Sequence, residues 1–311
     1  MKKISLFVIT LMFTFSNYVY SQDTYDFLRI DMSARAGALG GTFIANSDDI
    51  DVIFYNPAGL KLLEGSPVSF SFVKYLLDIN LASIAYSQEV DDIGRFAAAV
   101  QYINYGSFTA ADEFGNKLGD FSAGEFAFLV GYANSLSENF YYGANAKIIF
   151  SSIANQSSSA IALDLGLHYT IPENGMDFGF SVLNAGTQLS SYFSTKENLP
   201  VDVAVGFSKK MEHLPLKFSI DFHKLNEKRD SFGERFKAFS VGAEIGLSKV
   251  LDMRLGFNNE KRSELKIGSF AGLAGFNLGL GVNISDYNFS YGFSSLGQVG
   301  SLHRVNISTA L

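Results

Sequence analysis

The chain has 311 residues, 47% of them hydrophobic and 18% charged, with a net charge of −7 and no cysteine. The negative balance excludes an extended basic surface for nucleic acid. The lack of cysteine excludes a disulfide framework and a thiol-linked lipid at the amino terminus.

Lys2 and Lys3 open the sequence, and Ile4 to Phe15 follow as an apolar run. Val19-Tyr20-Ser21 then offers the modest side chains that a signal peptidase reads. Residues 1–21 are expected to be a secretory leader, cleaved to leave Gln22 first. The run is too short for a membrane anchor, which takes roughly 20 apolar residues to cross about 30 Å of hydrocarbon. No later run approaches that length.

Residues 22–66 show no steady alternation. Ser33-Ala34-Arg35-Ala36 suits a short helix, and Gly40-Gly41 breaks it. Asp48, Asp49 and Asp51 precede an apolar stretch through Tyr55. These acids suit helix caps or turns, since the remaining ligand pattern of a calcium loop is missing. Pro57 then restricts Asn56 to extended or turn geometry.

From about Val68 onward the dominant period is two. Leu163, Leu165, Leu167 and Tyr169 alternate with Asp164, Gly166, His168 and Thr170. Phe276, Leu278, Leu280, Val282 and Ile284 alternate with Asn277, Gly279, Gly281, Asn283 and Ser285. Each such segment is a strand with one apolar and one polar face. A soluble sandwich also alternates, but its wet face carries Lys, Glu and Thr, and its strands have a mode of about 5–6 residues. Here the polar face is Gly, Ser, Ala and Asn, and the segments reach the roughly 9–11 residues of a membrane-spanning strand.

The reading is all-β: a transmembrane antiparallel barrel of about fourteen strands over 67–311, with a lumen lined by small polar residues. Connections at 88–93, 134–138, 171–175, 209–214 and 285–287 are expected to be short periplasmic turns. Those at 105–123, 186–198, 226–235, 260–270 and 295–301 are expected to be longer outer loops, with a short outer connection at 75–78. Residues 262–284 admit one bent strand or a loop plus a strand. Tyr86, Tyr102, Tyr105, Tyr132, Tyr141, Tyr142, Tyr169 and Tyr287 are expected in the interfacial girdle. A barrel of this width needs filling, so 22–66 is expected to be a plug in the lumen.

No nucleophile elbow, P-loop, dinucleotide fingerprint or zinc spacing occurs, so neither an enzyme nor a cofactor is expected. Asp221 and His223 share a strand face as a conceivable acid–base pair, against the plainer reading of a solvated lumen wall. His303 and Arg304 are expected to lock the last strand against the plug.

Ser33-Ala34-Arg35-Ala36-Gly37-Ala38-Leu39-Gly40-Gly41, then Asp48-Asp49, then Tyr55-Asn56-Pro57-Ala58-Gly59-Leu60, resemble the N-terminal block of the PorV/PorQ family. Three further stretches are similar to that family: Asp112 to Asn116 with Gly119 and Phe121-Ser122-Ala123; Tyr141 to Lys147; and Leu296-Gly297 with His303-Arg304. The resemblance covers essentially the whole chain after the leader. It implies a FadL-like fourteen-stranded barrel in an outer membrane of the Bacteroidetes type, with a plug motif at Arg35, Gly40, Gly41, Asp48, Asp49, Asn56, Pro57, Ala58 and Gly59. It also implies a part in type IX secretion, with cargo or secretion-system proteins as partners. The alternative is a FadL-like transporter of long-chain fatty acids or another hydrophobic ligand, whose plug offers Phe43, Phe54, Tyr55 and Leu60.

Overall fold

The computed structural model describes residues 24–227, 229, 231–266 and 272–310. The expected leader, 1–21, lies outside them. Fourteen antiparallel strands close into one barrel. They are β1 (Pro67–Lys74), β2 (Asn80–Val90), β3 (Gly94–Ala111), β4 (Lys117–Ser137), β5 (Phe140–Ile153), β6 (Gln156–Ile171) and β7 (Met176–Ser190), followed by β8 (Asp202–Lys210), β9 (Leu216–Phe222), β10 (Phe239–Gly246), β11 (Leu251–Asn258), β12 (Phe276–Ile284), β13 (Tyr287–Ser295) and β14 (Ser301–Ala310). Closure comes from β1, which pairs with β2 on one side and with β14 on the other, Pro67 opposite Ala310. A closed ladder leaves no edge across the barrel wall, the condition for strands in hydrocarbon.

The outward positions form an apolar surface. Phe70, Ile84, Phe128, Leu163, Leu278 and Ile307 are all exposed. A soluble fold would bury such side chains, whereas a barrel wall offers them to lipid. Tyr86, Tyr102, Tyr169 and Tyr287 join them on the outside, and Tyr132 and Tyr142 touch edge to face. Tyr105 and Tyr141 do not: Tyr105 donates to Glu125 Oε2 at 2.6 Å inside the barrel, and the Tyr141 ring approaches the buried His168.

The period-two reading locates the strands better than the loops. The expected outer loop at 105–123 is largely strand, since β3 runs to Ala111 and β4 begins at Lys117. The 186–198 loop likewise starts only after Ser190. Tight turns join β5 to β6 and β10 to β11, neither singled out by the sequence. At 262–284 the loop-plus-strand alternative holds: a short helix, α2 (Asn259–Glu264), precedes β12.

The N-terminal segment fills the lumen. It holds a short helix, α1 (Ala34–Ala38), and 3-10 turns at Asp26–Arg29, Ile50–Phe54 and Pro57–Leu62. Its start lies at the end that carries the β7–β8 connection, where the Thr24 N–H donates to the Asn198 carbonyl. Its finish lies at the other end, where Arg95 donates to the Leu63 and Gly65 carbonyls just before β1. The segment therefore threads the barrel from end to end.

Candidate functional site

The site is the joint between this plug and the wall, and its two halves differ in chemistry. On β1 to β6 the inward side chains are mixed, apolar ones alternating with Ser71, Gln101, Glu125, Asn145, Lys147 and Asp164. Val73, Leu81, Ala99, Ile103, Leu129, Ile149 and Ala162 are buried in one cluster with Phe27, Met32, Ile53 and Leu60 of the plug. On β7 to β14 the inward side chains are mostly polar: Ser208, Asp221, Glu244, Arg254, Ser290 and Arg304 among them. This corrects the expectation of a lumen lined throughout by small polar residues. On β3 and β4 apolar side chains occur on both faces, so alternation alone did not show which face looked inward.

On the apolar side the plug is seated by the turn at Asn56-Pro57-Ala58. Asn56 caps the 3-10 turn, its Oδ1 accepting from the Ala58 N–H at 3.1 Å, while Nδ2 donates to the Ile44 carbonyl and to the Leu167 carbonyl of β6. Pro57 supplies a pre-set φ at the first position of that turn. The wall admits the turn because β5 and β6 carry glycine there. A Cβ on Gly143 would sit 2.5 Å from the Pro57 carbonyl carbon, and one on Gly166 would collide with Asn56 Oδ1. Gly59 is equally confined, 2.7 Å from the Asn46 carbonyl oxygen. Next to it Asn145 of β5 donates to the Ile53 carbonyl at 2.8 Å.

On the polar side the plug is held by charge. Arg35 forks onto Glu244 of β10 at 2.8 and 2.6 Å and reaches Asp48 at 2.8 Å, with Asp49 at 3.8 Å. The fully buried Arg254 donates to the same Glu244 at 2.6 Å. Burial opposes the charge on Arg35, yet Asp48 and Glu244 hold it more firmly protonated than usual. Asp49 instead caps the Ile50–Phe54 turn by accepting from the Asp51 N–H. Gly40 and Gly41 take positive φ values, 76° and 93°, at the end of α1, a region that side chains disfavour. Gly40 lies against the backbone of Phe257, and its carbonyl accepts from Asn258.

Arg304 and His303 separate. Arg304 is fully buried, donating to the Asp31 carbonyl at 2.8 Å and to Ser294 at 2.7 Å, and it occupies the space that Gly37 leaves. His303 is on the outer face, bonded to Tyr291 at 2.7 Å. Successive strand residues point to opposite faces, so the adjacent pair cannot both reach the plug; the expected lock consists of Arg304 alone.

Asp221 and His223 form neither an acid–base pair nor a solvated wall. The Asp221 carboxylate is buried and accepts the Phe43 and Ile44 N–H groups at 2.7 and 2.9 Å. His223, just past β9, bonds to Asp202 at 3.2 Å. Burial works against protonation of His223, but the Asp202 contact outweighs it and lifts the pKa to about 9. Asp51 is a grip that sequence reasoning missed. It is fully buried, accepting from Ser69 at 2.6 Å and Asn306 at 3.2 Å. Among the described residues no cation pairs with it. Burial and then the nearby Asp49 push its pKa up to about 7. Among the described residues there is no grouping of three metal-ligating side chains.

No family model matches the chain, and no curated protein matches it. Solved structures do. The Pseudomonas putida toluene transporter TodX matches with a TM-score of 0.60 at 14% identity, over 94% of this chain and 98% of that one. The Ralstonia pickettii toluene transporter TbuX matches with a TM-score of 0.59 at 13% identity, over 89% of this chain and 96% of that one. A Pseudomonas aeruginosa FadL homologue matches with a TM-score of 0.55 at 9% identity, over 90% and 98%. At these identities the likeness is one of fold, and the chain shares the closed fourteen-stranded barrel fold of these FadL-like structures.

Proposed function

We propose that the protein is an outer-membrane channel that takes a small apolar solute along the seam between its plug and the β1–β6 wall. The two-sided lumen carries this reading. A barrel that only needed sealing could be packed with polar contacts all round, as it is on β7 to β14. Instead the apolar side chains that the wall turns to the plug lie almost all on β1 to β6, set among polar ones, with small residues such as Ala97, Ala99, Ala127 and Ala160 where a solute can pass once the plug shifts. Arg35, Asp48, Asn56 and Arg304 then act as the plug's fastenings, and Gly40, Gly41 and Gly59 as its close-packed points. The fold neighbours that move toluene support the same class of solute. No step of this function needs bond chemistry, and we assign the protein no enzymatic role and no cofactor. The test is uptake of labelled toluene and of a labelled long-chain fatty acid by cells with and without the gene. Slower entry of either at low concentration in the deleted strain supports the channel; unchanged entry of both overturns it.

A second reading is a docking component of type IX secretion. The many buried fastenings between plug and wall favour it, because a barrel that is only a scaffold has no need to open. The resemblance of the 33–60 block to the PorV/PorQ family supports it too. Deleting the gene would then leave proteins with a C-terminal secretion signal in the periplasm, while solute uptake stays normal.

A further inference from the structure

We infer that the β3–β4 hairpin is an outward-facing docking edge for an extended, basic segment of another protein. The inference is independent of whether the lumen conducts. β2 pairs with β3 only as far as Asn104, and β5 pairs with β4 only from Ala123. Above those points Ser107–Ala111 and Lys117–Ser122 pair with each other alone. A two-stranded ribbon thus rises from the outer rim, its edges above Ser122 unpaired among the described residues. Such an edge is a template for a further strand unless it is guarded.

The β4 edge has a defined polarity. The Ser122 carbonyl accepts from the Ala154 N–H in the β5–β6 turn, so the backbone of Ser122 faces that side. Antiparallel backbones alternate, so the Asp120 N–H and carbonyl face the same way, with no backbone partner among the described residues. At the foot of this edge lies a groove of about 600 Å³ bordered by Asn104, Ser122, Gly124, Ser152, Ser157 and Ser159. Its other lining residues include the aromatic side chains of Tyr102, Phe126 and Phe150. A strand laid along β4 ends at the β5–β6 turn beside this groove, whose hydroxyl groups can serve short polar side chains at the end of the incoming segment.

Charge selects the occupant. Asp112, Glu113 and Asp120 surround the ribbon against Lys117 alone. Asp120 already bonds Thr109 at 3.0 Å and holds its carboxylate at the ribbon's exposed surface. Two copies paired antiparallel on this edge would bring their Asp120 carboxylates to within about one strand spacing, ~5 Å, which is repulsive. A segment carrying lysine or arginine meets no such cost. Phe114 and Leu118, 81% and 69% exposed near the tip, add apolar surface for its alternate side chains.

The test uses the full barrel in lipid nanodiscs and a synthetic nine-residue peptide of alternating valine and threonine with two lysines. Two further versions carry N-methyl groups, one on the amides of one strand edge and one on the other. Binding is expected, at least ten-fold weaker for one N-methylated version and unchanged for the other, and at least ten-fold weaker to Asp120→Lys. Retained heat-modifiable migration shows that the Asp120→Lys barrel is folded. Absence of binding at millimolar peptide overturns the proposal, as does equal binding of all three peptides. Concentration-dependent dimers abolished by Asp120→Lys also overturn it, because the occupant is then a second copy.

Discussion

Asn56 Nδ2 donates to the Leu167 carbonyl at 3.0 Å, tying the plug's turn to the barrel wall beside Gly166. The contact works only while residue 166 has no side chain. Gly166→Ala is therefore expected to unseat the turn, at a cost of roughly 1–3 kcal/mol for overpacking. Limited proteolysis checks this: the 24–66 segment of the variant should be cut faster while the barrel itself stays intact.

Arg304 is the grip between the last strand and the start of the plug. Arg304→Ala leaves the Asp31 carbonyl without its donor and opens a space beside Gly37. We expect a loss of about 1–3 kcal/mol and a lower unfolding midpoint. His303→Ala, on the outer face, should leave the midpoint nearly unchanged. Thermal unfolding of both variants in the same detergent separates the two outcomes.

Glu244 sits between two cations. Glu244→Gln leaves Arg35 and Arg254 with Asp48 and Asp49 as their nearest compensation. Breaking a buried pair of this kind costs about 3–5 kcal/mol. The measurable consequence is a looser plug, read as a higher small-ion conductance across planar bilayers than the parent barrel shows.

The seating of the plug should depend on pH through Asp51. Its pKa in the folded protein, about 7, lies above the ordinary carboxylate value, so folding takes up a proton. The plug is then most stable below about pH 4, loses stability as pH rises towards 7, and is level above it. Asp51→Asn should flatten that slope and stabilise the plug at pH 8, by roughly 1–4 kcal/mol. Proteolytic release of the plug measured from pH 4 to 9 gives the comparison. Asp49, raised by burial too, contributes a smaller slope of the same sign that survives in the variant.

The barrel was legible because lipid demands an apolar side chain at every second outward position, as from Leu163 to Tyr169. The demand ends where the hydrocarbon ends. Ser107–Ala111 and Lys117–Ser122 are strands in the structure, but no lipid faces them and their sequence shows no alternation, so they read as loop. The plug motif was legible from Asn56-Pro57 and Gly40-Gly41, since backbone geometry restricts which residues fit. What each fastening holds was not. Asp221 reaches Phe43, Asp51 reaches Ser69 and Asn306, and Arg304 reaches Asp31; such pairings arise from closure of the barrel around the plug, which no local spacing encodes. The apolar half of the lumen was hidden for a related reason. Ala99, Ile103 and Leu129 sit opposite lipid-facing apolar neighbours, and the few polar residues of that face, Arg95, Gln101 and Glu125, are too widely spaced to mark it as the inside.

The central claim is that the strip on β1 to β6 receives an apolar solute. The chain has no tryptophan, so one introduced at Ile103 reports on that strip alone and one introduced at Ser240 reports on the polar wall. Titrating a brominated monoaromatic hydrocarbon into each variant in nanodiscs is the most direct measurement. The account predicts saturable quenching at position 103 and little at 240. Equal quenching at both positions, or none at 103, would contradict it.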